Sequence, residues 1–380
     1  MAEPTTDAFL RGRGIPVDPT AIERELVRLW GPEAERVGGP DLDRPAVTRL
    51  VLANLVVREG PGPAEALDAL VARYPCRAIV LRVDDHAPPD AISAEVSALC
   101  HLPAPGLPQV CSERIVLRAA PDAFALLPGA VRPLLEPDLP IVLWWGDDPR
   151  SNPATFRTLA SECSRLILDL PDPGADPDAI RAGLDPNLAR FARDAAWFGA
   201  TPWRELIAQF FDPPGPHGDL AAIASVDIQG VVPPAAPSST PPRLAIWLAA
   251  WLAGQLGWRA RGTPRRSPGR IDADFDGPSG PIAASIRVHI APNVDAARII
   301  GVFIEAQTAD GPSTYRLDRP DATSPEVRVG VSSPSICALP RVVRLDEPGP
   351  ADRIDAALTS DRDDPPARRA LPHGLWLLGG

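Results

Sequence analysis

The chain has 380 residues, 45% of them hydrophobic, which is enough for about two domains with cores of their own. Its 49 acidic residues outnumber 38 basic ones, and a formal charge of -11 excludes a general binder of nucleic-acid backbones or anionic membrane surfaces. Every basic residue is an arginine, so Schiff-base chemistry and a P-loop lysine are excluded as well.

In chain order, "DPTAIERELVRLW" opens with Asp18 as a helix cap and Pro19 at the first helical position. Ile22, Leu26, Leu29 and Trp30 then share one helical face. The run from Ala46 to Val57 reads as a buried strand, "AEALDALVARYP" as a helix and "CRAIVLRVDD" as a second buried strand. "AISAEVSALCH" alternates like a half-buried strand, "VCSERIVLRA" follows as another, and "PDAFALLPGAVRPLL" is helical with proline interruptions. "LPIVLWWGDD" is a strand, and "ATFRTLASECSRLILDL" is a helix running into a strand. Strands that alternate with helices and are apolar throughout predict an α/β N-terminal domain with a mainly parallel sheet, residues 1–172.

The composition shifts at "PDPGADPD", residues 171–178, which is taken as the boundary. Helices are expected around "NLARFARDAAWF" and "PWRELIAQFF", the latter capped by Thr201 before Pro202. "LAAIASVDIQG" reads as a strand, residues 231–242 as a proline-rich linker and "RLAIWLAAWLAGQLGW" as a helix. A small antiparallel sheet follows in "IAASIRVHI", "ARIIGVFIEAQTADG", "STYRLDRP" and "EVRVGVSS", with a late strand "RVVRLDE" and a short helix "PADRIDAAL". The second domain, 179–380, is thus a helical segment followed by a smaller α+β part. No repeat at a fixed period is visible.

The N-terminal "MAEPTTDAFLRGRG" has no apolar core of a secretory signal, and "LAIWLAAWLAG" is about half the ~20 residues that span a bilayer. Five widely spaced cysteines form no disulfide framework, so a cytoplasmic protein with reduced thiols is expected. Cys100 and Cys111 bracket ten residues that include three prolines, and with His101 they lack zinc-ligand spacing. They stand as a candidate redox pair, against the default of small buried apolar side chains that stay reduced.

Asp147 and Asp148 follow an apolar strand, where ligand sites of open parallel sheets lie. The pair suits Mg²⁺ or acid–base work, while "GDDP" is equally ordinary turn chemistry. Trp144 and Trp145 point to opposite faces of that strand, so one of them is a candidate anchor for a protein partner. Trp197, Trp203 and Arg204 lie in an aromatic-dense stretch and read either as interdomain core or as interface. Trp247 and Trp251 form a helix stripe, most simply core. The arginine-rich segment 259–270 is expected to be a solvated loop, with a grip on phosphate or an acidic surface as the sharper reading. The dinucleotide, P-loop, nucleophile-elbow and zinc-protease motifs are all missing, which argues against an enzyme and implies no cofactor.

"CRAIVL", "VCSERIVLRA", "LLPGAVRPLLEPDLPIVLWWGDDP", "SRLILD" and "DAAWFGATPWRELIAQFFD" occur in this order and together resemble the OpcA family of glucose-6-phosphate dehydrogenase assembly proteins. The resemblance covers roughly residues 40 to 260 and is looser beyond. It implies a non-catalytic partner that binds glucose-6-phosphate dehydrogenase, favours its active oligomer and so controls the oxidative pentose phosphate pathway. It supplies no active-site residues; Trp144, Trp145, Trp197, Trp203 and Arg204 stand as partner contacts on the aromatic argument alone.

Overall fold

The computed structural model describes residues 14–30, 47–60, 65–101, 109–172, 174, 176–185, 187–188, 191–212, 217–236, 241–334, 339–360 and 364–379. The chain divides into two compact units. The first comprises Met1–Leu170, Ala182–Arg193 and Pro350–Asp355. The second comprises Pro171–Arg181, Asp194–Gly349 and Ala356–Gly380.

In the first unit the chain runs through β1 (Ile15–Val17), α1 (Ile22–Trp30), β2 (Val47–Arg49), β3 (Asn54–Arg58), α2 (Glu65–Arg73), β4 (Arg77–Val83), β5 (Ile92–His101) and β6 (Gln109–Ala119). It continues through α3 (Leu127–Val131), β7 (Ile141–Trp145), α4 (Pro153–Glu162) and β8 (Arg165–Leu168). Asp18 caps the first turn by accepting from Thr20 N–H at 2.8 Å, and Ile22 and Leu26 are buried, as their spacing predicts. The segment expected as one strand, 46–57, is two: β2 pairs with β6, and β3 begins only at Asn54. The buried Asn54 amide explains the break, because it bonds both the carbonyl and the N–H of Glu136 like a strand partner.

After α5 (Pro177–Gly183), β9 (Ala192–Asp194) completes a sheet ordered β1-β5-β6-β4-β3-β7-β8-β9, with β2 added alongside β6. The pairs among β6, β4, β3, β7 and β8 are all parallel, while β5 and β1 extend the sheet antiparallel at one side. The fully buried run Ala78–Leu81 in β4 shows why this domain reads as continuous apolar strands: both faces are covered.

The second unit holds α6 (Ala195–Gly199), α7 (Thr201–Phe211), α8 (His217–Ala221), β10 (Ile223–Val232) and α9 (Arg243–Gln255). Then follow β11 (Arg259–Ser267), β12 (Arg270–Gly277), β13 (Gly280–Ile290), β14 (Arg298–Thr308), β15 (Gly311–Asp318), β16 (Glu326–Ser332) and β17 (Arg341–Arg344). The helices α10 (Pro350–Thr359), which this unit holds from Ala356 on, and α11 (Pro365–Leu377) come last. The strand order is β11-β12-β13-β10-β14-β15-β16-β17, antiparallel except for the β10–β13 pair. The antiparallel sheet expected from a few segments here is eight-stranded.

Three local expectations change for physical reasons. The helix expected across 187–198 gives way to β9 and α6, because extended Asp194 caps α6 through Ala196 N–H. The expected arginine loop is the β11–β12 hairpin: its polar residues conceal strand alternation, and Arg265 and Arg270 pair with Asp274 and Asp272 of β12. Val231 and Val232, assigned to the linker, close β10; residues 237–240 of that linker lie outside the described residues. Helix α11 goes unpredicted because Pro372 sits inside it. It still packs against α9, where a Cβ on Gly374 would lie 2.2 Å from the Trp247 ring.

Candidate functional site

From β3 the chain steps outward through β4 to β6, then returns across β3 to β7 and β8. The carboxyl ends of β3 and β7 are therefore the switch point at which open α/β sheets form a ligand crevice. Here the two strands stay closely paired to their ends. Gly146 N–H donates to the Arg58 carbonyl at 2.8 Å, and a Cβ on Gly60 would sit 1.8 Å from the Gly146 carbonyl oxygen. The Arg58 guanidinium bonds Asp147 at 2.6 Å and lies 5.0 Å from the centroid of the Phe124 ring. Asp148 is held by Arg150 at 2.7 Å, and that bond keeps its carboxyl below the usual range. Each carboxylate of the candidate acid–base pair thus already has its own arginine. Among the described residues no three His, Cys, Asp or Glu side chains converge as a metal site.

The aromatic anchors expected at a surface are corrected, because the structure places them in cores. Trp145 is 0% exposed and meets Phe156 edge-on with centroids 5.0 Å apart; Trp144 is buried on the opposite face, with its indole N–H donated to Asp169. In the second unit Trp203 is also 0% exposed, and Trp197 is buried with its indole N–H on Asp364 at 3.2 Å. The Arg204 guanidinium stacks 3.7 Å from the Trp197 ring centroid and donates to the Trp197 carbonyl and to Thr201 Oγ1. Burial lowers its pKa to about 10. All four indoles therefore pack within the fold, with Arg204 half-buried against Trp197.

Asp194 is the polar centre of that second core. Its carboxylate accepts from Arg243 Nε at 2.9 Å, Trp247 Nε1 at 3.0 Å and Ala196 N–H at 2.9 Å. A counterpart in the first unit is Glu113, fully buried, which binds both Arg49 at 2.6 Å and Arg77 at 2.7 Å. Both are buried ion pairs with their remaining lone pairs satisfied, as burial of charge requires.

Cys100 and Cys111 are joined as a disulfide, which corrects the expectation that they stay reduced. They stand directly opposite each other in the antiparallel β5–β6 register, with Cα atoms 4.0 Å apart. Spacing in the sequence conceals this, because the β5–β6 register rather than the count of residues between them sets the two opposite each other. Burial pushes the Cys76 thiol up to about 12 and that of Cys163 up to about 11, so neither is a reactive thiolate near neutral pH. Cys337 lies outside the described residues.

What the sequence reading passes over is a sheet edge. At one edge of the second sheet, β11 is capped by α11: Trp376 Nε1 donates to the Gly262 carbonyl at 3.2 Å, and Arg266 donates to the Leu377 carbonyl. At the other edge lies β17, beside Leu339 (91% exposed) and carrying Val342 (59% exposed). The signal was present in "LPRVVR", a short strand with arginines at both ends.

Comparison with known proteins bears on both units. Two families match, described as the N-terminal and the C-terminal domain of the glucose-6-phosphate dehydrogenase subunit; the first covers residues 67–182 and the second residues 191–371. A curated relative, the "Putative OxPP cycle protein OpcA" of Synechocystis sp., is 30% identical over 177 residues. That alignment covers 45% of this chain and only 35% of the relative, so the chain spans about a third of its length. Glucose-6-phosphate 1-dehydrogenase from Mycobacterium avium superposes with a TM-score of 0.47 at 11% identity, over 86% of this chain and 90% of that one. Levoglucosan dehydrogenase in complex with NADH and L-sorbose gives 0.42 at 14%, over 80% and 83%. Likenesses this distant carry no argument about activity.

Proposed function

The chain belongs to the OpcA family of glucose-6-phosphate dehydrogenase subunits, and from this premise we propose that it binds glucose-6-phosphate dehydrogenase and promotes its active oligomer. It does so without catalysis of its own, in the cytoplasm, and so sets entry into the oxidative pentose phosphate pathway. The observation that carries this reading is that both halves of the chain match the two domains of one protein family in order. The switch point agrees with it, since the Asp147 carboxylate there is taken by the Arg58 guanidinium. No helix among the described residues is long and apolar enough to cross a membrane.

An activator works by binding the active state of its target more tightly than the inactive one, and a tenfold shift in that equilibrium needs a difference of about 1.4 kcal/mol. Mixing the purified chain with the dehydrogenase of the same organism tests the proposal: comigration and raised activity are expected. No complex together with unchanged activity refutes it. The competing reading, an enzyme or sugar-phosphate binder acting through Asp147 and Asp148, requires carboxylates that Arg58 and Arg150 already occupy.

A further inference from the structure

We infer that the β17 edge of the second sheet is a docking strand that pairs with an extended, acidic segment of the dehydrogenase; the identity of that partner rests on the function proposed above. The backbone selects the kind of occupant. Leu345 N–H donates to the Pro325 carbonyl at 2.7 Å, and the β16–β17 register pairs Val343 with Val327 and Arg341 with Val329. In an antiparallel ladder alternate residues turn their N–H and C=O groups to the partner strand. Residues 341, 343 and 345 therefore face β16, and the backbone groups of Val342 and Arg344 point out of the sheet. No strand pairs with β17 on that side among the described residues. Such an edge is a template for one more strand, which is how extended peptides add to sheets.

The other sheet edges lack this opening. Strand β11 is interrupted by a register shift between Arg261 and Arg265 and is capped by α11. Strands β1 and β9 are three residues long; β1 carries Pro16 at its centre, and Asp194 of β9 is buried under Arg243. Leu339 and Val342 also stand close in sequence, so the strand offers apolar contact beside its open backbone.

Charge selects the partner. The chain as a whole is acidic at -11, yet this edge presents Arg341 and Arg344, with Arg328 directly opposite Val342 and Glu326 opposite Arg344, three arginines against one carboxylate. Arg344 has Asp346 as a partner at 2.9 Å, and Arg341 donates to Gln209 Oε1. Neither Arg328 nor Arg341 has a carboxylate within ion-pair distance among the described residues. A second copy of this chain is the poorer occupant: antiparallel self-pairing would crowd four guanidiniums into one four-residue ribbon, and facing like charges destabilise a strand pair. An incoming strand with Glu or Asp near the arginines and an apolar residue at Val342 satisfies backbone, charge and side chain together.

Proline at position 342 tests this directly, because it deletes an outward N–H and leaves the bonds to β16 intact. Val342→Pro should keep the native circular dichroism and melting curve while weakening binding to the dehydrogenase at least tenfold. The Arg328→Glu, Arg341→Glu double variant should weaken it comparably, and Ile290→Ser, another exposed apolar residue on the same sheet, should leave it unchanged. A natively folded Val342→Pro chain that binds as tightly as wild type overturns the inference. Should Val342→Pro misfold, wild-type affinity in the double arginine variant overturns it equally. A dehydrogenase that ignores the wild-type chain refutes the partner instead, and the edge is then judged with synthetic peptides alternating Glu and Val or Lys and Val. Slowed amide exchange at Val342 and Arg344 with the acidic peptide alone upholds the docking strand. Protection by neither peptide, or by both equally, ends it.

Discussion

Asp194→Ala removes the carboxylate on which Arg243 and Trp247 converge in the core of the second unit, at 2.9 and 3.0 Å. Arg243 is itself buried, so the substitution takes the Asp194 charge from a desolvated cation that keeps its bond to the Pro171 carbonyl, a loss of about 3–5 kcal/mol. Losing the cap on Ala196 N–H adds about 1 kcal/mol. Against a total domain stability of about 5–15 kcal/mol this is a large fraction. With a urea m-value of about 2–3 kcal/mol/M, the midpoint of the unit should fall by roughly 1.5–3 M, read by tryptophan fluorescence. Asp194→Asn keeps an acceptor for the cap and for Trp247 but not the charge, and should fall between the two. Asp194→Ala with Arg243→Met swaps the ion pair for apolar contact and should recover most of the loss. A single-variant midpoint shift below about 0.3 M, or a double variant no better than the single, would refute the assignment of Asp194 as the charge that holds this core.

Gly60→Ala should lower the first unit's stability by about 1–3 kcal/mol, since its Cβ would overlap the Gly146 carbonyl; chemical denaturation measures it, and an unchanged midpoint contradicts this close approach. In a Cys337→Ser background the native chain should show almost no thiol titre at pH 8, and reduction should expose two new thiols from Cys100 and Cys111. Two fast-reacting thiols before any reduction would contradict the disulfide. Cys76 and Cys163 titrate at about 12 and about 11 in the fold, above about 8.5 in the unfolded chain, so unfolding releases their protons first. Their contribution to stability is therefore complete below about pH 8.5 and is lost as pH rises through about 11 and 12, a slope that Cys76→Ala should reduce. The Asp147→Asn, Asp148→Asn double variant should leave activation of the dehydrogenase intact; loss of activation in a natively folded variant would revive the carboxylate reading.

Much of the first unit was legible because its physics is local. A short apolar run such as Ala78–Leu81, rich in β-branched residues, suits a strand covered on both faces, and Asp18–Pro19 suits a helix start. Strand and helix alternation then leaves few arrangements other than a mainly parallel sheet, and the ordered signature segments pointed to the family. The second unit was harder, since β11 carries almost no apolar residues and α11 breaks the rule against internal proline; both are held by packing, Gly374 against Trp247 among the contacts.

The candidate sites show where sequence stops. Composition told that Trp145 and Trp203 matter, but exposure is a property of what packs above a side chain, and the fold buried both. Asp147 and Asp148 looked like a reactive pair until distant Arg58 and near Arg150 were seen to neutralise them. Cys100 and Cys111, eleven positions apart, became a pair only through the β5–β6 register, which sets residues opposite one another without regard to spacing. Sequence by itself determined most element types of the first unit, the charge and the resemblance to the family. Which groups face water, which charges are free and which edge stays open were decided by tertiary structure, because each depends on neighbours far away along the chain.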